Sequence, residues 1–306
     1  MPRYRLYGLT VESEVALDEP ELDGDSQVDV HVVRGGPRPS VVGPDGTGAL
    51  AHVWIAGNHS YELRQEPRGL RLAFGGAGSF SVSPTLDAVV AHGDPQQGEA
   101  LLPVLVSGNV LDVLLTLRGH HVLHASAVDA DGGATAIVGQ PGRGKSTLAA
   151  LLAPASRGLV TDDLLRVDLS SRGVVCFRGS SRVRLRPNAW SLADAGLVAP
   201  TADGRRALRL VATDRDELPL ARVIVPMLSR DDTALRVRRL SNQDAFRALG
   251  AFPRLSGWRA PDVLQRQFLA CAELAGRVPV FLAHVPWGPP FAEDLGADLL
   301  EALRAS

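Results

Sequence analysis

Apolar and polar residues alternate in short runs over the first 95 or so positions: Tyr4 to Glu12, Val28 to Val33, His52 to Ala56, Ser60 to Gln65, Leu70 to Phe74 and Phe80 to Val82. A period of two is that of a half-buried strand. The clusters between the runs (GGPRP, GPDGTG, EPRG, GGAGS) are rich in Gly, Pro and Asp, the residues of hairpins and meanders. From Gly98 to Arg118 the period lengthens. Leu101, Leu102, Val104, Leu105, Val110, Leu111, Val113, Leu114, Leu115 and Leu117 predict a largely buried helix ending near Gly119, with His120 and His121 closing it.

Beyond the helix, HHVLHASAV, the turn DADGG and ATAIVG read as a hairpin whose two runs pair antiparallel. The second run feeds a glycine-rich loop, and Ser146 to Leu152 reads as a helix. GLVTDDLLRVDL and VVCF flank SSRG, a second hairpin. The last third predicts strands at Ala221 to Met227, Leu235 to Leu240 and Pro279 to His284. It predicts helices at Gln243 to Leu249, Asp262 to Leu274 and Phe291 to Arg304. The expected fold is α/β, with a β-rich N-terminal part over residues 1–95 and a second part over 96–306. No internal repeat or low-complexity linker separates them.

Composition narrows the classes of function. A chain of 306 residues can bury a sizeable core, and 45% hydrophobic with 22% charged residues is the balance of a soluble globular protein. A net charge of −2 argues against nucleic-acid partners, which call for clustered positive charge. No apolar run reaches the roughly 20 residues that cross a bilayer. The opening MPRYRLYGLTVESE is polar where a signal peptide has its apolar core. Cys176 and Cys271 form neither a disulfide framework nor a zinc spacing. The expectation is a cytoplasmic protein with reduced thiols and no membrane partner.

One residue stands apart. Of 32 basic side chains, 31 are arginine and Lys145 is the single lysine. It lies in Gly139-Gln140-Pro141-Gly142-Arg143-Gly144-Lys145-Ser146, which matches G-x-x-x-x-G-K-[ST] at every fixed position. Glycines let the loop turn its N–H groups toward a phosphate, and the following helix adds the partial positive charge of its N-terminus. A compact ammonium fits that nest where a planar guanidinium would not. The Ser146 hydroxyl is short enough to ligate Mg²⁺ between phosphates. The pattern therefore predicts a nucleoside-triphosphate site at Gly139 to Thr147, with ATP and Mg²⁺. The acidic partner of such a loop is expected in Gly158-Leu159-Val160-Thr161-Asp162-Asp163, 17 residues after Lys145. That spacing suits a strand just past the loop's helix.

LHASAV at Leu123 to Val128, the hairpin into GQPGRGKST, VTDD at Val160 to Asp163 and RVRLRP before Asn188 together resemble the HPr kinase/phosphorylase superfamily, in particular its kinase-like members near peptide-modification genes. The resemblance covers residues 121–187 and, more loosely, the remainder. It implies a P-loop core like that of ATP-dependent phosphoenolpyruvate carboxykinase, with an antiparallel strand before the loop. It implies that Lys145 and Ser146 hold phosphates and Mg²⁺. One of Asp162 and Asp163 would accept the proton of a substrate hydroxyl and the other, taken as Asp163, would hold the metal. His124 would sit beside the γ-phosphate and tune the proton transfer. Arg182, Arg184 and Arg186 alternate along a strand, where they would meet an acidic peptide or phosphates or simply form an exposed face. Arg205 and Arg206, after Asp203-Gly204, would approach the nucleotide.

The family's bifunctional members carry a carboxylate where Thr147 stands, a regulatory N-terminal domain, and a regulatory C-terminal loop not matched here. The resemblance therefore points to a dedicated kinase acting on a serine-type hydroxyl of a peptide or protein, such as the precursor of a lasso peptide. A docking edge would lie in the β-rich part. HPr kinases are hexamers; a homo-oligomer is a possibility, but that assembly is not carried over to a different N-terminal half. Two other readings remain: a small-molecule kinase with the same nucleotide site, and a nucleotide-binding regulator without catalysis.

Overall fold

Alternation over the N-terminal third does become strands, and a computed structural model of the chain describes them within residues 1–55, 60–96, 98–193, 198–200, 204–231 and 234–306. Ala56 and Asp203, named above, lie outside the described residues. Two units can be distinguished, 1–120 with 255–267, and 121–254 with 268–306. The helix expected to follow a seam near residue 95 thus belongs with the first unit.

In that unit the strands are β1 (Arg3–Leu6), β2 (Leu9–Ser13), β3 (Val30–Arg34), β4 (Ala49–Val53), β5 (Tyr61–Glu66), β6 (Gly69–Phe74), β7 (Gly78–Val82) and β8 (Ala88–Gly93). They form one sheet in the order β1-β2-β3-β8-β7-β6-β5-β4. The run from Tyr4 to Glu12 is two strands, not one. Tyr7 and Gly8 both have positive φ (55° and 73°), the geometry of a two-residue hairpin turn. Strand β8 was not foreseen. The predicted helix forms as α1 (Leu102–Val104), a π-helical stretch over Leu105–Val110 and α2 (Leu111–Leu117). His121 leaves it and opens a strand instead of closing the helix.

The second unit contains β9 (His121–Leu123), β10 (Ala125–Ala130), β11 (Gly133–Val138), α3 (Lys145–Leu152), β12 (Leu159–Thr161), β13 (Leu165–Ser170), β14 (Gly173–Phe177), β15 (Arg182–Leu185), β16 (Val198–Pro200), β17 (Arg206–Arg209), β18 (Glu217–Ser229), β19 (Arg236–Arg239), α4 (Asn242–Gly250), most of α5 (Pro261–Arg277), β20 (Val280–Pro286) and α6 (Leu295–Ala305). Both expected hairpins form. β10 and β11 pair antiparallel from Ala125↔Val138 to Ala130↔Gly133, and β13 pairs β14 from Val167↔Cys176 to Ser170↔Gly173.

The long strand β18 organises this unit. On one side it runs parallel to β11; on the other it takes β14 antiparallel and β20 parallel. Alternate side chains then separate two cores. Val223 and Val225 pack with Ala245, Leu249 and Leu274 of α4 and α5. Ile224 packs with Leu148 and Leu152 of α3 and Leu299, Leu300 and Leu303 of α6. The result is a mixed sheet between helices, an α/β layer architecture. A small antiparallel sheet, β15-β17-β16, adds Val183, Leu185 and Leu208 to the α3 side. No helix among the described residues is long and apolar enough to cross a membrane.

Candidate functional site

β11 delivers the chain at Val138 to the glycine loop, and α3 leaves it at Lys145. Gly142 and Gly144 have φ of 77° and 76°, a left-handed conformation that glycine adopts without strain. Their missing side chains are also needed for space. A Cβ on Gly144 would lie 2.5 Å from Leu228 and 2.8 Å from the Trp287 ring; one on Gly142 would lie 2.9 Å from the Arg186 guanidinium. Gln140, Pro141 and Arg143 are exposed, whereas Thr147 is buried in α3.

Lys145 is 6% exposed. Its Nζ donates to the Gly139 carbonyl at 2.9 Å and the Gln140 carbonyl at 3.1 Å. The single lysine is thus folded onto its own loop. Burial pulls its pKa down to about 8; Asp163 and Asp162 work against burial, and Arg254 and Arg205 work with it. The field of Arg205 therefore reaches the loop.

The two aspartates follow β12, the strand just past the loop's helix that the short spacing suggested, and β12 pairs antiparallel with β10. Asp163 has φ 74°, and the two carboxylates have different partners. Asp162 is 4% exposed. It accepts from Ser126 Oγ at 2.5 Å, from Ser146 Oγ at 2.8 and 3.0 Å, and from the Arg184 amide at 3.2 Å. Asp163 meets His124 Nε2 at 3.1 Å, Arg184 Nη2 at 3.0 Å and Arg254 Nη2 at 2.7 Å. Burial alone would raise the Asp163 pKa. Arg254, His124 and Arg184 outweigh it and hold the carboxyl well below the usual range. Burial lowers the His124 pKa, and Asp163 opposes that shift.

Lys145, Ser146, Asp162, Asp163, His124 and Arg184 lie within one network of contacts. Ser146 meets Asp162, not Asp163, because both Asp163 oxygens are taken up by cationic and imidazole donors. Of the two acids named beside Ser146, Asp162 is its hydrogen-bonding partner. Arg184 ties the pair together through its backbone on one aspartate and its guanidinium on the other. Arg186 lies on the loop. Arg182 sits opposite Arg209 in the small sheet, and Arg206 stacks its guanidinium 4.1 Å from the Trp190 ring.

Two residues were missed. Ser126 is a polar residue on a strand buried at every position, two places from His124, and that pattern was a signal. Arg254 comes from a loop after α4 and carried none.

Among the described residues no three His, Cys, Asp or Glu side chains gather as a metal cage. One carboxylate and one hydroxyl beside the glycine loop is a donor set that would suit Mg²⁺, which retains waters and takes few protein oxygens.

No protein-family model and no curated protein matches the chain. Among solved structures it is similar to one described as the Hpr(Ser) kinase/phosphatase from Coxiella burnetii, at 13% identity and a TM-score of 0.31, over 60% of this chain and 95% of that one.

Proposed function

We propose that the protein is an ATP- and Mg²⁺-dependent kinase that transfers the γ-phosphate to a serine-type hydroxyl of a peptide or protein, such as a lasso-peptide precursor. One observation carries the reading. The Ser146 hydroxyl stands on the Asp162 carboxylate at 2.8 and 3.0 Å, directly after a buried lysine in a glycine loop.

Phosphoryl transfer is mostly positioning and charge neutralisation. Lys145 would exchange its loop carbonyls for phosphate oxygens. Ser146 and Asp162 would hold Mg²⁺, whose charge offsets that of the phosphates. Asp163, oriented by His124 and Arg184, would align the acceptor hydroxyl and receive its proton. A carboxylate held this acidic is a weak base, and a loose transition state asks for little more. Docking of the peptide belongs to the N-terminal unit in this reading, through an edge of its sheet.

The test is incubation with ATP, Mg²⁺ and a serine-bearing precursor peptide, read as a mass gain of one phosphate. Asp163→Asn should lower the rate about a hundredfold or more while ATP still binds. Transfer to a small alcohol but to no peptide would favour a small-molecule kinase. If Lys145→Ala abolished the biological function while Asp162→Ala and Asp163→Ala spared it, the protein would be a regulator.

A further inference from the structure

Arg186 has no side-chain hydrogen-bond or ion-pair partner among the described residues. It lies one residue past the end of β15, and its carbonyl accepts from the Ala189 amide at 2.9 Å. Pro187 follows and opens a short 3-10 helix, so the backbone at Arg186 is pinned on both sides. Its guanidinium lies on Gly142: the position a Cβ would take there is 2.9 Å from Cζ and Nη2 and 3.0 Å from Nη1. Three nearly equal distances mean that a broad face of the planar group covers the glycine, with its N–H fork left at the loop's rim.

The neighbouring cations have partners. Arg184 and Arg254 are committed to Asp163, and Lys145 to the loop carbonyls. Arg186 is exposed, and among the described residues its side chain has neither an ion pair nor a hydrogen bond. A cation with a fork geometry, kept over a phosphate loop by a rigid backbone and joined to no carboxylate, matches an oxyanion.

We propose that Arg186 is a phosphate ligand of the nucleoside triphosphate, a guanidinium clamp supplied from outside the loop that closes on the phosphates bound within it. The proposal rests on the nucleotide reading above and adds a specificity residue to it. Of the three alternating arginines, Arg184 serves the carboxylates and Arg186 the nucleotide. The acceptor side of the site, at Asp163, is served by Arg184 and Arg254 instead. A side chain at Gly142, already disfavoured by its φ of 77°, would push the guanidinium away from the loop.

The test compares wild type, Arg186→Ala, Arg186→Lys and Arg172→Ala by titration with Mg·ATP, each variant first checked for an unchanged melting temperature. Arg172 is exposed on the β13–β14 turn, and its loss controls for general charge. Arg186→Ala should weaken ATP about ten- to a hundredfold, the range of one or two charge-assisted hydrogen bonds. Arg186→Lys should fall between it and wild type, and Arg172→Ala should stay within about twofold of wild type. Equal affinity of Arg186→Ala and Arg172→Ala would overturn the assignment, as would tighter binding by Arg186→Ala. So would an effect confined to the peptide KM, which would move Arg186 to the acceptor. Failure of wild type itself to bind Mg·ATP is a separate result, and it removes the nucleotide reading together with the clamp.

Discussion

At the scale of single residues, the site is a set of charges placed so that each restrains another. Lys145 is the clearest case: thirty-one basic positions hold arginine and this one does not, and the structure shows an ammonium buried within reach of two loop carbonyls. A guanidinium there would meet the same crowded loop with a larger planar group. Lys145→Arg should therefore weaken ATP about a hundredfold despite keeping the charge, measured by titration calorimetry against an unchanged circular-dichroism spectrum. Ser126 works at one remove. Its 2.5 Å hydrogen bond aims Asp162 at Ser146. Ser126→Ala removes one bond worth about 1 kcal/mol, so the Mg²⁺ concentration for half-maximal activity should rise about fivefold. Ser126→Thr should restore it.

At the scale of elements, the site depends on how closely α3 and its neighbours approach. Gly296, in α6, is the point of contact: a Cβ there would lie 2.0 Å from the backbone oxygen of Leu151 at the end of α3. Alanine is the better helix former, but here the overlap is with backbone and no rotamer relieves it. Gly296→Ala should destabilise by about 3 kcal/mol in urea denaturation and lower ATP affinity as α3 shifts. Helices and hairpins of this unit were legible because their periods and turns are local. The β10–β11 hairpin turns at Asp131 and Gly132, both with positive φ, a geometry that the DG pair announces. Strands β8, β16 and β17 were not legible, and neither was the break of the first run at Tyr7. Each is short, and cross-strand neighbours distant in sequence decide it.

At the scale of the whole molecule, pH should act through a group outside the site. His121 opens β9 with its Nε2 3.9 Å from the Cys271 thiol, and its Nδ1 has no partner among the described residues. Burial draws its pKa from 6.5 to about 4. A histidine held neutral in the fold and free to charge when unfolded gives stability that is complete above pH 6.5 and lost as pH falls toward 4. By pH 5 the loss from this one group is about 2 kcal/mol. His121→Gln should flatten the fall in melting temperature between pH 7 and 5, whatever it does to stability at pH 7. An equally steep fall in the variant would remove His121 as the cause. The glycine loop, its lysine and its serine were decided by the sequence, because a turn built from consecutive residues is written contiguously. Which aspartate meets Ser146, and that Arg184, Arg186 and Arg254 divide themselves among carboxylate and loop, was decided only in three dimensions. Those arginines come from β15, from the residue just past it and from the loop after α4, and adjacent carboxylates are sorted by the charges that packing brings to them, which no spacing records.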